Sequence, residues 1–91
     1  MLVVFAYDIP DNERRNMVAK LLEGYGFRVQ KSVFECFLEE DRIKQVVKEV
    51  LEVLDESQDN LRVYRLCKAC ESKRGAYGIV GLLKEQNSFI I

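Results

Sequence analysis

Asp8 closes an unbroken apolar run, Leu2-Val3-Val4-Phe5-Ala6-Tyr7. A carboxylate in that position can cap the turn that follows it. It can also stand at the carboxyl end of a buried strand, where open α/β sheets hold ligands. Ile9-Pro10 stops any ladder there, because proline has no N–H to donate. The other residues with chemistry to offer are Tyr7, Arg14, Arg15, Arg28 and Ser32. Arginines suit phosphate, through a charged fork that matches its oxygens. One carboxylate is a poor anchor for Mg²⁺ or Mn²⁺, which rest on carboxylates together with water and substrate phosphates. Two copies of Asp8 facing each other across a two-fold axis would serve better, since like charges brought together need a cation between them. Such an ion would polarise a phosphoryl oxygen or generate hydroxide. Several of these positions also have a plain structural reading: a solvated helix face for Arg14 and Arg15, a turn for Ser32 and, for the nearby Phe34, the core.

Other chemistries find no support. The chain has no histidine, so Ser-His-Asp and Cys-His arrangements are excluded. No glycine-rich loop follows the first apolar run, which argues against a nucleotide cradle. The interleaved aromatics and bases of a sheet that stacks RNA bases are missing. Cys67-x-x-Cys70 with Cys36 gives three cysteines. A structural zinc site takes four ligands, so ordinary thiols are the default over a site shared between subunits or a redox pair.

The 91 residues suit one small domain, 1–91. With 48% apolar residues a packed core is within reach, and 32% charged residues with no apolar run near the ~20 needed to cross a bilayer exclude a membrane protein. The chain opens on a strand-like run rather than a basic leader, and a cytoplasmic location is expected. The net charge of −1 hides an asymmetry. Residues 39–59 hold eight acids against three bases, whereas residues 61–85 hold six bases against two acids. Phosphate contact depends on the local field rather than the sum. Arg14, Arg15 and Arg28, joined by some of Arg62, Arg65, Lys68, Lys73 and Arg74, are expected to meet phosphates without reading bases.

Elements must position these groups. The run 2–7 reads as a strand buried on both faces. Asp11 is a candidate N-cap for a helix over 12–23, with Met17, Val18, Leu21, Leu22 and Tyr25 as its apolar stripe. Gly24 and Gly26 end it, with a left-handed cap expected. Residues 27–30 and 33–38 read as strands joined by a tight hairpin or a bulged continuation. A second helix opens at Glu39-Glu40-Asp41, with Asp41 able to cap, and buries Ile43, Val46, Val47, Val50, Leu51 and Leu54. After a loop over 57–60, residues 61–66 alternate as a half-buried strand. The order β-α-β-β-α-β is the split βαβ, ferredoxin-like α+β arrangement. Strand one should lie beside strand three, with both helices on one face. A second subunit is the simplest cover for the other face. The apolar tail Phe89-Ile90-Ile91 could then add a strand to a neighbouring sheet edge, with 77–91 exchanged between subunits.

The strand ending in Tyr7-Asp8-Ile9, the Arg14-Arg15 helix start, the block Arg28-Val29-Gln30-Lys31-Ser32-Val33-Phe34-Glu35-Cys36, and Val63-Tyr64-Arg65-Leu66-Cys67 with Gly81 beyond it resemble the family of CRISPR-associated protein two, the partner of the spacer integrase. The resemblance covers nearly the whole chain. It implies a ferredoxin-like homodimer with an extra C-terminal strand crossing to the other subunit. It implies metal-dependent cleavage of RNA or DNA in some members, and a scaffold that holds duplex DNA between integrase subunits. The family's metal carboxylate falls on Asp8, and Tyr7, Arg15, Arg28, Ser32 and Phe34 occupy positions like its other site residues. Met17 stands where the family has a basic residue. The function expected is therefore a subunit of CRISPR adaptation with Mg²⁺- or Mn²⁺-dependent endonuclease capability. The alternatives are a duplex-DNA scaffold that never cuts, and a toxin-like RNA nuclease on the same fold.

Overall fold

The computed structural model of the chain describes residues 1–66. It comprises β1 (Leu2–Asp8), α1 (Asn12–Glu23), β2 (Gly26–Gln30), β3 (Val33–Phe37), α2 (Glu40–Val53) and β4 (Asn60–Leu66). The strands form one antiparallel sheet in the order β2-β3-β1-β4. This is the expected α+β ferredoxin-like arrangement, with β1 beside β3. The expected C-terminal strand, the exchanged segment 77–91 and the cysteines Cys67 and Cys70 lie outside the described residues.

β1 is central, and its run of apolar side chains is buried on both faces as its composition demands. The period of two sends Val3, Phe5 and Tyr7 to one side. There they join Phe34 and Cys36 of β3, Val18, Ala19 and Leu22 of α1, and Ile43, Val46 and Val50 of α2 in one core. Both helices therefore pack on the same face. Phe5 and Phe34 are fully buried, and each such side chain contributes about 1.5–3 kcal/mol relative to exposure.

The helices start where their polar residues permit. Asp11 is the N-cap of α1, and its carboxylate accepts from the Arg14 backbone N–H at 2.9 Å, a contact worth about 1 kcal/mol. Four local expectations are corrected. Leu51 is 46% exposed rather than buried, because it stands about 100° round α2 from Val50, past the edge of the face that meets the sheet. Met17 is off the apolar stripe and 55% exposed, with Ala19 buried instead. Gly24 ends α1 in a right-handed conformation, φ −73° and ψ −13°, rather than a left-handed one. Asp41 lies inside the first turn of α2, after Glu39 as N-cap, where it complements the helix dipole without capping.

β2 and β3 form a tight hairpin around Lys31 and Ser32, and a register shift between Arg28 and Gln30 makes it bulged as well. On the sheet face away from the helices, Phe27 is 73% exposed, Phe37 56% and Tyr64 44%, beside buried Leu2 and Val4.

Candidate functional site

Asp8 ends β1 on the face away from the helices, because the pleat puts it in line with Leu2, Val4 and Ala6. It is exposed, and its register partner is Asn60, the first residue of β4. A shallow depression of about 210 Å³ lies here, lined by Ala6, Tyr7, Asp8, Asn60 and Arg62. Asn60 is absent from the sequence-based site, and Arg62 stands there only among the bases of the C-terminal half expected to meet phosphate, with no link to Asp8. Their signal was the alternation of β4, but only pairing with β1 sets them beside Asp8.

Tyr7 and Asp8 are neighbours in sequence and lie on opposite faces of the sheet. The Tyr7 ring is buried, stacked 6.3 Å from Phe34 at 25°. Its hydroxyl donates to the Lys31 carbonyl at a long 3.4 Å. Arg28 Nε donates to the same carbonyl at 3.1 Å, and its guanidinium carbon lies 5.4 Å over the Phe34 ring. Ser32 sits in that turn, and its carbonyl accepts from the Tyr7 backbone N–H at 3.1 Å. Tyr7, Arg28, Ser32 and Phe34 thus gather around the β2–β3 hairpin. Phe34 belongs to the core, fully buried.

Arg15 holds the loop that leaves Asp8. Its Nη1 donates to the Ile9 carbonyl at 2.9 Å and the Pro10 carbonyl at 3.2 Å, and its Nη2 to Asn12. Arg14 faces another way. Its Nε donates to Asp59 Oδ2 at 2.7 Å and its Nη2 to Asp59 Oδ1 at 3.1 Å. The Asp59 side chain is wholly buried and also accepts from the Asp55 backbone N–H at 2.9 Å. Arg14 thus spends its Nε and one Nη2 N–H on Asp59, and the pair pins α1 to the loop before β4. The hydrogen bond from Arg14 holds Asp59 below the usual carboxylate range, and the same bond raises Arg14. Asp59 could not be found from its sequence neighbours, since its partner lies 45 residues away.

The donor set bears on an ion as well. Among the described residues no three aspartate, glutamate or cysteine side chains converge on a common point. Asp8 with the Asn60 amide oxygen suits a hard cation that keeps waters and shares a phosphate, not one in a closed cage. Cys36 offers no nucleophile, since burial pushes its thiol up to about 11. No helix among the described residues is long and apolar enough to cross a membrane.

Residues 1–74 match the family described as CRISPR associated protein Cas2. The chain belongs to the Cas2 family. The CRISPR-associated endoribonuclease Cas2 3 of Synechocystis sp. is 41% identical over 90 residues, covering 99% of this chain and 98% of the relative. The crystal structure of Streptococcus pyogenes Cas2 at pH 6.5 superposes with a TM-score of 0.74 at 33% identity, over 86% of this chain and 100% of that one. A chain of a partial Cas6-RT-Cas1--Cas2 complex reaches a TM-score of 0.70 at 29% identity, over 99% of this chain and 97% of that one. The Cas2 fold is thus shared at the level of sequence and backbone alike.

Proposed function

We propose that this chain is a dimeric, nucleic-acid-binding subunit of CRISPR adaptation that works in the cytoplasm and hydrolyses phosphodiester bonds of RNA or DNA with Mg²⁺ or Mn²⁺. The observation that carries the reading is the exposed Asp8 carboxylate at the end of the central strand, beside Asn60 in a polar depression. The family resemblance gives the metal carboxylate to this position. The Synechocystis relative carries the name endoribonuclease, which supports cleavage. The partial Cas6-RT-Cas1--Cas2 complex supports an integrase subunit as partner.

The exposed sheet face with Phe27, Phe37 and Tyr64 supports a second copy of the chain as its cover. Asp8 lies on that face, so a two-fold axis there would bring two Asp8 carboxylates together. The Asp8 carboxylates would hold a divalent ion, which would supply a polarised phosphoryl oxygen or a hydroxide. The chain's own groups do the rest. Asp8 and Asn60 offer hard oxygen donors. Arg15 fixes the loop after Asp8 through the Ile9 and Pro10 carbonyls. Arg28 offers the rest of its guanidinium to the nucleic-acid backbone from the rim of the hairpin.

The test is cleavage of labelled RNA and labelled duplex DNA by the intact protein and by Asp8→Asn, with and without chelator. Asp8→Asn removes the charge while nearly preserving shape. It should keep fold and nucleic-acid affinity and lose metal-dependent cleavage. Equal cutting by both proteins, or cutting that survives the chelator, would sink the assignment of Asp8 as metal anchor. An intact protein that binds DNA and cuts nothing across pH would leave the scaffold reading in its place.

A further inference from the structure

Six arginines lie among the described residues, and five have their guanidinium engaged. Arg14 is held by Asp59 and Arg15 by the carbonyls of Ile9 and Pro10. Arg28 is bound to the Lys31 carbonyl, Arg42 to Gln45 at 3.2 Å, and Arg65 to Glu40 at 3.1 and 2.9 Å. Among the described residues Arg62 is the one arginine with no hydrogen bond or ion pair. It is exposed on β4, opposite Ala6, and so shares a face with Asp8. Asp8 pairs with Asn60, so Arg62 stands one diagonal step from it, within reach of a long side chain. Both line the same depression, yet no ion pair joins them.

The depression therefore offers a carboxylate at one end and an uncommitted guanidinium fork at the other. A ligand that answers both carries negative oxygens together with a divalent cation. A metal-bound phosphodiester has that composition, and arginine takes two phosphate oxygens at once where lysine acts as a point charge. We propose that Arg62 holds a non-bridging phosphate oxygen of the nucleic acid at the Asp8 depression. The proposal rests on the reading of Asp8 as a phosphodiester-processing site and names the residue that would hold the substrate there.

The experiment uses the full chain with Arg62→Ala, Arg62→Lys and, as a control on the opposite sheet face, Arg65→Ala. Binding of a labelled duplex DNA and a labelled single-stranded RNA is measured over a salt series, and cleavage in Mn²⁺ alongside. Arg62→Ala should weaken binding about tenfold and lower the slope of log affinity against log salt by about one. Arg62→Lys should restore the slope but not the full cleavage rate. Arg65→Ala should change both less than Arg62→Ala. An Arg62→Ala protein with unchanged affinity and slope overturns the proposal, even where Asp8→Asn has abolished cleavage. An Arg62→Ala protein that loses the oligomeric state of the intact chain in light scattering also overturns it, by assigning Arg62 to a subunit contact. If Arg62→Ala loses one phosphate contact while Asp8→Asn cuts as well as the intact protein, the phosphate site stands and the nuclease reading at Asp8 falls.

Discussion

At the scale of single residues, Asp59 joins local geometry to the site. Its carboxylate receives two N–H groups of Arg14 and the backbone N–H of Asp55. Asn60, the partner of Asp8, is the next residue. A charge buried with its partners is hard to replace, because removing one leaves the other uncompensated. The hydrogen bond from Arg14 depresses Asp59 from its ordinary 3.8. Its stabilisation is therefore fully present above that value and is lost as pH falls through the depressed one. Asp55, depressed by Ser57, and Glu40, depressed by Arg65, act in the same sense. Asp59→Asn should lower the melting temperature at neutral pH, and the gap to the intact protein should narrow once pH drops below about 3.8. Thermal melts at neutral and acid pH measure this. A gap of constant size would show that the Asp59 charge contributes nothing.

At the scale of elements, two glycines that look alike in the sequence part company. A Cβ on Gly26 would lie 2.5 Å from Cys36 Sγ and 3.0 Å from Cys36 Cα, and would also press on the Glu35 carbonyl. β2 and β3 approach closely there, and the ladder leaves the backbone little freedom to shift. Gly26→Ala should cost about 1–3 kcal/mol, as overpacking does. A Cβ on Gly24 would meet the Leu21 carbonyl at 3.4 Å, an ordinary contact, on a right-handed backbone. Gly24→Ala should then be tolerated, with a gain of about 0.4–1 kcal/mol from the restricted unfolded chain. Urea unfolding of both variants checks the contrast, and equal midpoints would refute it. The core of α2 is the complement of this picture: Ile43, Val46 and Val50 are fully buried, spaced to meet the sheet once per turn.

At the scale of the whole molecule, the exposed sheet face is where the proposed dimer would form. Phe27, Phe37 and Tyr64 stand out from it. The proposed dimer would bury them with Asp8 near the same axis. Light scattering on the intact chain should give the mass of two copies. Phe37→Asp should weaken association at least tenfold while circular dichroism stays that of the folded chain, since a charge forced into an apolar contact loses its hydration. An intact chain that runs as a stable monomer refutes the dimer. A Phe37→Asp protein that associates as well as the intact one moves the contact elsewhere.

The order of elements, the central strand buried on both faces, the Asp11 cap and the Ile43, Val46 and Val50 part of the α2 stripe were all legible in the sequence. Each depends on residues a few positions apart, where period and stop signals act directly. The same locality explains the errors at Met17, Gly24, Asp41 and Leu51. Position on a helix face and cap geometry follow from the packing angle, and a local pattern does not contain that angle. Asp8 was marked by its place after an apolar run, and the resemblance in the blocks around Tyr7-Asp8 and Arg28–Cys36 gave it a role. Only the tertiary structure brought Asn60 and Arg62 to Asp8, and Asp59 to Arg14. Those meetings depend on strand register and on contacts across 45 residues, which exist only once the sheet has formed. The chain's pattern could state which residues carry charge; the pairing of β1 with β4 and the packing around it decided which of those charges are spent on the fold and which stay exposed beside Asp8.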